Sequence, residues 1–136
     1  MCIRDSFKRQ GLGGVLLFNA SKSAFNQGPD FGPYAIPKAA VISLMKQYAI
    51  ELGRHGVRSN AINADRILTG LFAQGLLEKR AKARNLTPKD YLAGNLLQEE
   101  VYAEDVAQGF IYLAKARKTT GAILTIDGGN AAAFPR

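Results

Sequence analysis

The chain contains few of the residues on which metal sites, disulfide frameworks and histidine-based catalysis depend. It has one cysteine, Cys2, one histidine, His55, and no tryptophan. These counts exclude a disulfide framework, a Cys/His zinc cluster and any catalytic triad that needs another histidine. His55 follows a predicted helix, where the helix dipole favours a basic residue, so we expect it to have no chemical role. We expect no metal site.

Long apolar runs are also missing. No stretch approaches the roughly 18 apolar residues that cross a bilayer, and the N-terminus has no apolar core of the signal-peptide kind. We therefore predict a cytoplasmic protein with no membrane partner. The 136 residues, 47% hydrophobic and 21% charged, have the balance of a globular chain and not of a disordered one. That length suits a single domain and is too short for two ordinary ones.

Positive charge is in excess, with a formal net charge of +7. The densest basic run is Lys79-Arg-Ala-Lys-Ala-Arg84, inside a predicted helical stretch. Since no aromatic residues alternate with these charges, we interpret the run as a solvated helix face and expect no nucleic-acid partner. A polyanion site is the alternative. A basic balance also raises the local concentration of an anionic ligand such as a dinucleotide.

The first six residues, Met1-Cys-Ile-Arg-Asp-Ser6, show no periodicity and join abruptly to Phe7. We interpret residues 1–6 as non-native sequence of the kind that a translated sequencing adapter adds. Residues 7–136 are then the domain.

Apolar runs bounded by turn residues predict three strands separated by helices. The strands are expected at residues 15–19, 57–64 and 122–126, and the main helices at residues 34–55 and 104–116. Residues 71–97 predict one or two short helices broken at 85–88, where Thr87 is a plausible N-cap and Pro88 a first helical residue. Strands alternating with helices pair in parallel through right-handed crossovers.

One segment, Tyr34-Ala-Ile-Pro-Lys38, predicts chemistry. A Tyr and a Lys four residues apart share a helix face, and a neighbouring ammonium favours the ionised form of a phenol, as a general acid/base requires. The spacing alone is a weak signal. However, Ser21 follows the first strand and residues 65–69 follow the second. Because ligands of parallel sheets bind beyond the carboxyl ends of the strands, these residues predict one site.

Ser21, Tyr34-Ala-Ile-Pro-Lys38, Arg58-Ser-Asn-Ala-Ile-Asn63 and Asp127-Gly-Gly129 stand in the order typical of short-chain dehydrogenase/reductases. From about residue 13 to residue 129 the chain resembles the C-terminal half of such an enzyme. The resemblance implies an α/β fold, the C-terminal half of a doubly wound parallel-sheet (Rossmann) domain truncated at the N-terminus. It also implies NAD or NADP as cofactor and a small molecule as substrate.

The resemblance implies roles for three side chains in catalysis. Tyr34 would be the acid/base that exchanges a proton with the substrate oxygen, and Ser21 would donate a hydrogen bond to that oxygen. Lys38 would favour ionisation of Tyr34 and hold the nicotinamide ribose. Ser23, two residues from Ser21, is the alternative hydroxyl.

Cofactor contacts are implied for Tyr34 and Lys38 and for two residues after the second strand. Thr69 would contact the nicotinamide end of the cofactor, and the Ile67 backbone its carboxamide. Thr69 as a simple helix cap is the alternative interpretation. The Asp127-Gly-Gly129 segment is expected to form a turn after the last strand.

Two features depart from the family pattern. Ala64-Asp65 stands where the family usually has Pro-Gly, which adds a carboxylate near the nicotinamide end. The N-terminal half is missing, together with its catalytic Asn and its glycine-rich phosphate-binding turn. Gly11-Leu-Gly-Gly14 precedes a strand instead of following one.

Three further stretches resemble the dehydrogenase part of bifunctional aldolase/short-chain dehydrogenases, which carry a class II aldolase domain ahead of the reductase and act in sugar breakdown. They are Pro29-Asp-Phe-Gly-Pro-Tyr34, Asn63-Ala-Asp-Arg-Ile67 and Asn130-Ala-Ala-Ala-Phe-Pro-Arg136. The expected function is hydride transfer between nicotinamide and a small alcohol, carbonyl or sugar-derived substrate, with the chain inactive when isolated.

The alternative function is a non-catalytic half-domain that serves as an oligomerisation or interaction module. The helix predicted over residues 34–55 is apolar over most of its girth, so we expect it to be buried on two sides. The expected partner on the second side is another copy of the chain, which makes the intact parent a homo-oligomer.

Overall fold

The computed structural model describes residues 3–131, and of Leu71 only the main chain. Helices and strands follow one another along these residues in the order α1 (Ile3–Gln10), β1 (Gly14–Asn19), α2 (Gly32–Leu52), β2 (Val57–Ala64), β3 (Ile67–Leu68), α3 (Leu76–Lys82), α4 (Pro88–Leu92), β4 (Val101–Tyr102), α5 (Ala103–Lys115) and β5 (Ile123–Ile126). The three predicted strands and two main helices agree with the structure to within a few residues at each end.

A three-stranded parallel sheet forms the centre of the fold, with the strand order β1-β2-β5. Gly14 lies opposite Val57 in the register, and Ala61 lies opposite Ile123. Strand β2 is therefore paired on both sides, which explains why almost all of its residues are buried. Among the described residues, β1 is paired along one side only.

Helices α2 and α5 cover opposite faces of this sheet. Ala61 of β2 packs in a cluster with Ile42 and Met45 of α2. Its neighbour Ile62 points the other way, because successive strand residues alternate between faces. A Cβ at Gly109 of α5 would collide with Ile126 Cδ1 and lie 3.1 Å from Ile62 Cδ1. Helices on both faces of a parallel sheet make the predicted doubly wound α/β architecture.

Polar residues of β2 are buried because each side chain bonds to a neighbouring segment. The Ser59 hydroxyl donates to the Met45 carbonyl at 2.7 Å. The Asn60 side chain donates to the Thr119 carbonyl and accepts from the Ala122 amide. Arg58 caps the end of α5, since its guanidinium donates to the carbonyls of Leu113, Ala114 and Ala116. These bonds align β2 with α2, α5 and β5.

Helix α1 has no counterpart among the predicted elements. Its Phe7 packs against the core cluster of Leu16, Leu52 and Val57. Arg4 forms an ion pair of 3.1 Å with Glu51 of α2. The pKa of the Glu51 carboxyl is lowered mainly by a hydrogen bond from Gln47, and also by one from Arg4. The interpretation of residues 1–6 as non-native stays a prediction.

The segment after β2 folds as a small subdomain over the ends of the strands. Strands β3 and β4 pair in parallel, a two-residue ladder too short for a periodic sequence signal. Helices α3 and α4 pack around a cluster of Phe72, Ala81, Tyr91 and Leu92. Thr87 caps α4 as predicted, accepting a 3.1 Å hydrogen bond from the Asp90 amide, and Pro88 is the first helical residue. We call residues 67–102 the lid segment.

The predicted turn after the last strand is present. The Asp127 carboxylate accepts hydrogen bonds from the amides of Gly129 and Asn130, and Gly128 and Gly129 both have positive φ. No helix of the described residues is long and apolar enough to cross a bilayer.

Candidate active site

A cleft of about 700 Å³ opens where β1 and β2 end, between the start of α2 and the lid segment. All of the predicted site residues line it: Ser21, Tyr34, Lys38, Ile67 and Thr69. The sheet explains this convergence, because β1 and β2 are parallel neighbours and the segments that leave them begin at one edge.

Tyr34 and Lys38 lie one turn apart at the start of α2. Pro33 occupies the first turn, where its missing N–H costs no hydrogen bond. Tyr34 is 46% exposed and lines the cleft. Lys38 Nζ lies 5.7 Å from the centroid of the Tyr34 ring and donates a 2.8 Å hydrogen bond to the Asn19 carbonyl. The ammonium is thus held beside the phenol.

Ser21 and Ser23 lie together in the turn that follows β1. Both are buried and both line the cleft. Ser21 Oγ accepts a 3.3 Å hydrogen bond from the Ser23 amide, as the cap of a short 3₁₀ turn. A hydroxyl has one donor and two acceptor sites, so the O–H of Ser21 is left to donate to a ligand. The choice between the two serines stays open.

Asp65, the unexpected carboxylate after β2, is tied into the fold. Its Oδ2 accepts a 2.9 Å hydrogen bond from Asn130 Nδ2 and lies 3.4 Å from Arg66 Nε. Arg66 also donates to the carbonyls of Tyr91 and Gly94 in the lid segment. Asp65 and Arg66 therefore join the end of β2 to the turn after β5 and to the lid, and the Asp65 charge is neutralised locally.

Two arginines of the basic run, Arg80 and Arg84, line the cleft. The Arg80 guanidinium carbon lies 5.5 Å from the Phe31 ring centroid and 5.9 Å from that of Phe72. That of Arg84 lies 5.4 Å from the Tyr91 ring centroid. The expected solvated face holds for Lys79, Lys82 and Arg84, which are exposed, and not for Arg80, which is partly buried.

A sequence signal for Arg80 existed. Leu76 and Leu77 lie three and four residues before it, on the same side of α3, and both pack on the lid cluster. One of the two rings that hold its guanidinium, that of Phe31, comes however from a distant part of the chain.

The remaining candidates lie elsewhere. His55 follows α2, outside the cleft lining, and accepts a 3.3 Å hydrogen bond from Arg54 Nε. Within residues 3–131, no group of three or more His, Cys, Asp and Glu side chains is arranged to hold a metal ion.

The cleft fits one end of a dinucleotide. Lys38 has two N–H donors beyond its bond to Asn19, which suits ribose hydroxyls. The glycines before β1 do not form a phosphate cradle. A Cβ at Gly13, whose φ is +70°, would lie 2.7 Å from the Gly56 carbonyl oxygen. This glycine serves the close approach of two main-chain segments. The residues that the structure describes therefore suit the nicotinamide end and supply no glycine-rich turn for the pyrophosphate.

Comparison with known proteins gives consistent matches over nearly the whole chain. The family profile described as Enoyl-(Acyl carrier protein) reductase matches residues 2–131. The chain is 34% identical, over 98% of its length, to the uncharacterized oxidoreductase YuxG of Bacillus subtilis, of which it covers 21%. It is 36% identical, over 90% of its length, to L-rhamnose 1-dehydrogenase (NAD(P)(+)) of Azotobacter vinelandii, of which it covers 46%.

A solved structure gives the same result. The short-chain type dehydrogenase/reductase from Mycobacterium ulcerans is 32% identical and superposes with a TM-score of 0.80, over 98% of this chain and 46% of that one. The chain thus spans less than half the length of these relatives.

Proposed function

The chain belongs to the short-chain dehydrogenase/reductase family, and we propose that it is the catalytic half of an NAD(P)-dependent oxidoreductase that acts on a small alcohol or carbonyl substrate. The observation that carries this proposal is the convergence of Ser21, Tyr34 and Lys38 on one cleft, with the Lys38 ammonium fixed beside the Tyr34 ring. The relative from Azotobacter vinelandii is an NAD(P)(+) enzyme by name, which supports the cofactor class.

Tyr34 is the proposed acid/base. In the oxidising direction its phenolate accepts the proton of the substrate hydroxyl while hydride leaves the adjacent carbon. In the reducing direction the phenol returns that proton to the carbonyl oxygen. The hydrogen bond from the Ser23 amide uses only the oxygen of Ser21. The Ser21 O–H therefore donates to the substrate oxygen as negative charge develops there. A bound nicotinamide supplies or accepts the hydride.

Cofactor contacts are proposed for four residues of this chain. Lys38, together with Tyr34, binds the nicotinamide ribose. Ile67 and Thr69 lie where β2 passes into the lid segment and line the same cleft, which supports a role at the nicotinamide ring. The backbone of Ile67 is proposed to bind the carboxamide.

The decisive experiment is Tyr34→Phe in the full-length protein. We expect kcat to fall about 10²- to 10⁴-fold, the usual contribution of a general acid/base. The Kd of NADH, measured by fluorescence titration, should stay within about twofold, because a phenylalanine ring keeps the packing. Tyr112→Phe, on the exposed side of α5, is the matched control. A Tyr34→Phe enzyme with the wild-type rate would remove the proposed acid/base.

We propose that the full-length protein has a further domain ahead of the reductase, an aldolase, and a sugar-derived substrate. The match covers 46% of the Azotobacter dehydrogenase but only 21% of the Bacillus protein, although the chain is almost fully aligned to both. Such a difference suits a multidomain relative. Extending the reading frame upstream should reveal a strand followed by a glycine-rich turn, and beyond it the extra domain. A native start codon at Met1 would contradict this.

The isolated chain is proposed to be inactive. Strand β1 is paired along one side only within the described residues, and an unpaired strand edge favours aggregation. Half of a dinucleotide site also provides little binding energy. A titration of the isolated chain with NADH should show no saturation at micromolar concentration. Saturable micromolar binding would refute the prediction.

A specific observation also favours an assembly role for the sheet-covering helices. Ile36 and Ile50 of α2 are 72% and 78% exposed, and Ile111 of α5 is also exposed. Apolar residues in these positions suit a contact between two copies of the full-length protein. Light scattering after size exclusion should give an oligomer that Ile50→Glu dissociates. A monomeric wild-type protein would argue against this role.

A further inference from the structure

The candidate cleft has an excess of positive charge. Of the described residues that line it, five are basic and two are acidic, namely Lys22, Lys38, Arg66, Arg80 and Arg84 against Asp30 and Asp65. Some of these charges are already used by the protein. Asp65 pairs with Arg66, and the Lys38 ammonium donates to the Asn19 carbonyl. Within residues 3–131, no carboxylate lies within ion-pair distance of the Arg80 or Arg84 guanidinium.

Arg80 is held in place by aromatic rings and not by an acid. Its guanidinium contacts Phe31 and Phe72, both of which line the cleft, and its side chain is partly buried. A guanidinium held by rings and not by an acid keeps N–H groups available, and these groups match the two oxygens of a carboxylate or phosphate. The rings also restrict the side chain, so less rotamer entropy is lost when an anion binds.

The position of Arg80 relates it to the proposed acid/base. The Phe31 ring contacts the Tyr34 ring edge-to-face, with centroids 6.1 Å apart, and contacts Arg80 as well. One aromatic ring therefore separates the phenol from the guanidinium. Arg84 lies on the next turn, where its Nη1 donates to the Arg80 carbonyl at 3.1 Å, and adds positive potential.

We propose that Arg80, supported by Arg84, binds an anionic group, carboxylate or phosphate, at the far end of a substrate whose reacting oxygen lies at Tyr34. The inference rests on the proposed function and deepens it, since it assigns the substrate to the class of hydroxy or oxo acids and sugar phosphates. Phe31 then forms the wall along which the carbon chain of the substrate lies.

The test uses the full-length protein, NADH and two pairs of carbonyl substrates that differ in charge. Hydroxypyruvate is compared with hydroxyacetone for a carboxylate, and glyceraldehyde 3-phosphate with glyceraldehyde for a phosphate. In the wild type the anionic member of at least one pair should have the higher kcat/KM. Arg80→Gln should reduce that preference about ten- to a hundred-fold, as expected for a lost charge-assisted hydrogen bond, and leave the neutral member nearly unchanged.

Lys79→Gln is the matched control. It removes the same charge from the neighbouring position of α3, but Lys79 is exposed and lies outside the cleft lining. Its preference ratio should equal that of the wild type. A merely structural role of Arg80 would lower both members of a pair together, and so would leave the ratio unchanged.

Three results would overturn the proposal: a wild type without anion preference, an Arg80→Gln variant that keeps it, or a variant whose only defect is a raised Kd of NADH. The last would assign Arg80 to a cofactor phosphate. If no substrate is turned over, the proposed function fails, but the anion site at Arg80 can still be tested with inorganic phosphate. Phosphate should raise the Tm of the wild type and of Lys79→Gln more than that of Arg80→Gln, and an equal rise in all three would refute the anion site.

Discussion

The ammonium of Lys38 donates a 2.8 Å hydrogen bond to the carbonyl oxygen of Asn19, the last residue of β1. This bond joins the first turns of α2 to the end of the strand from which the Ser21 turn departs. It also sets the ammonium 5.7 Å from the Tyr34 ring centroid. This contact thus sets the position of Lys38 relative to Tyr34 and to the turn that carries Ser21. It also holds a cation near a phenol that is otherwise exposed.

The first prediction concerns that ammonium. Lys38→Met in the full-length protein keeps the length of the aliphatic stem and removes the charge and its hydrogen bond. We expect kcat/KM to fall on the order of 10²-fold, because one preorganised electrostatic contact at the reacting group is lost. Lys46→Met, at an exposed position of α2, should leave kcat/KM unchanged.

The second prediction separates the two serines. Ser21→Ala should lower kcat about 10²- to 10³-fold, because the substrate oxygen loses its hydrogen-bond donor. Ser23→Ala should cost little, because only the main-chain amide of Ser23 contacts Ser21. Ser21→Thr keeps a hydroxyl and should therefore be faster than Ser21→Ala. Steady-state kinetics on all three variants would decide, and the opposite order would assign the functional hydroxyl to Ser23.

The third prediction concerns the packing of α5 on the sheet. Gly109→Val should destabilise the full-length protein by about 1–3 kcal/mol, the usual cost of overpacking. The reason is that a Cβ at this position already meets Ile126 and Ile62. Gln108→Val places the same side chain at an exposed position of the helix and controls for helix propensity. Thermal unfolding should give a clearly lower Tm for the first variant only. Equal Tm values would mean that α5 packs differently.

The fourth prediction concerns the guanidinium that caps α5. Arg58→Lys keeps a positive charge near the helix C-terminus but cannot reach the carbonyls of Leu113, Ala114 and Ala116 together. We expect a loss of about 2 kcal/mol in unfolding free energy. Arg54→Lys, at an exposed position just after α2, should be neutral. If the two variants unfold at the same denaturant concentration, the cap contributes no stability.

Comparison of the predicted and observed elements shows which signals were local. Strand β2 was predicted with its observed bounds even though it contains Ser59, Asn60 and Asn63. The apolar residues between them and the flanking Gly56 were sufficient. The ladder of β3 and β4 was missed, because two residues in each strand have no periodicity. Helix α1 was not predicted, and half of its residues lie in the segment interpreted as non-native.

The candidate site was predictable to the same degree. Tyr34 and Lys38 share a face because four residues make about one helical turn, and Ser21 joins them because parallel strands end at one edge of the sheet. Arg80 was misassigned to a solvated face. Its environment consists of Phe31, which precedes α2, and Phe72, which precedes α3. No pattern within the basic run contains that information.

The amino-acid sequence by itself determined the alternation of strands and helices, the parallel sheet and the pairing of Tyr34 with Lys38, because each follows from the spacing of neighbouring residues. Only the tertiary structure decided that Asp65 accepts a hydrogen bond from Asn130 in addition to its ion pair with Arg66, and that Arg80 lines the cleft with no acidic partner among residues 3–131. The contacts of Asp65 with Asn130 and of Arg80 with Phe31 join segments far apart in the chain, and they form only when the lid segment and the turn after β5 pack at the sheet edge. The Tyr34–Lys38 pair is the basis of the proposed chemistry, whereas the charge of the surrounding cleft is the basis of the proposed substrate class.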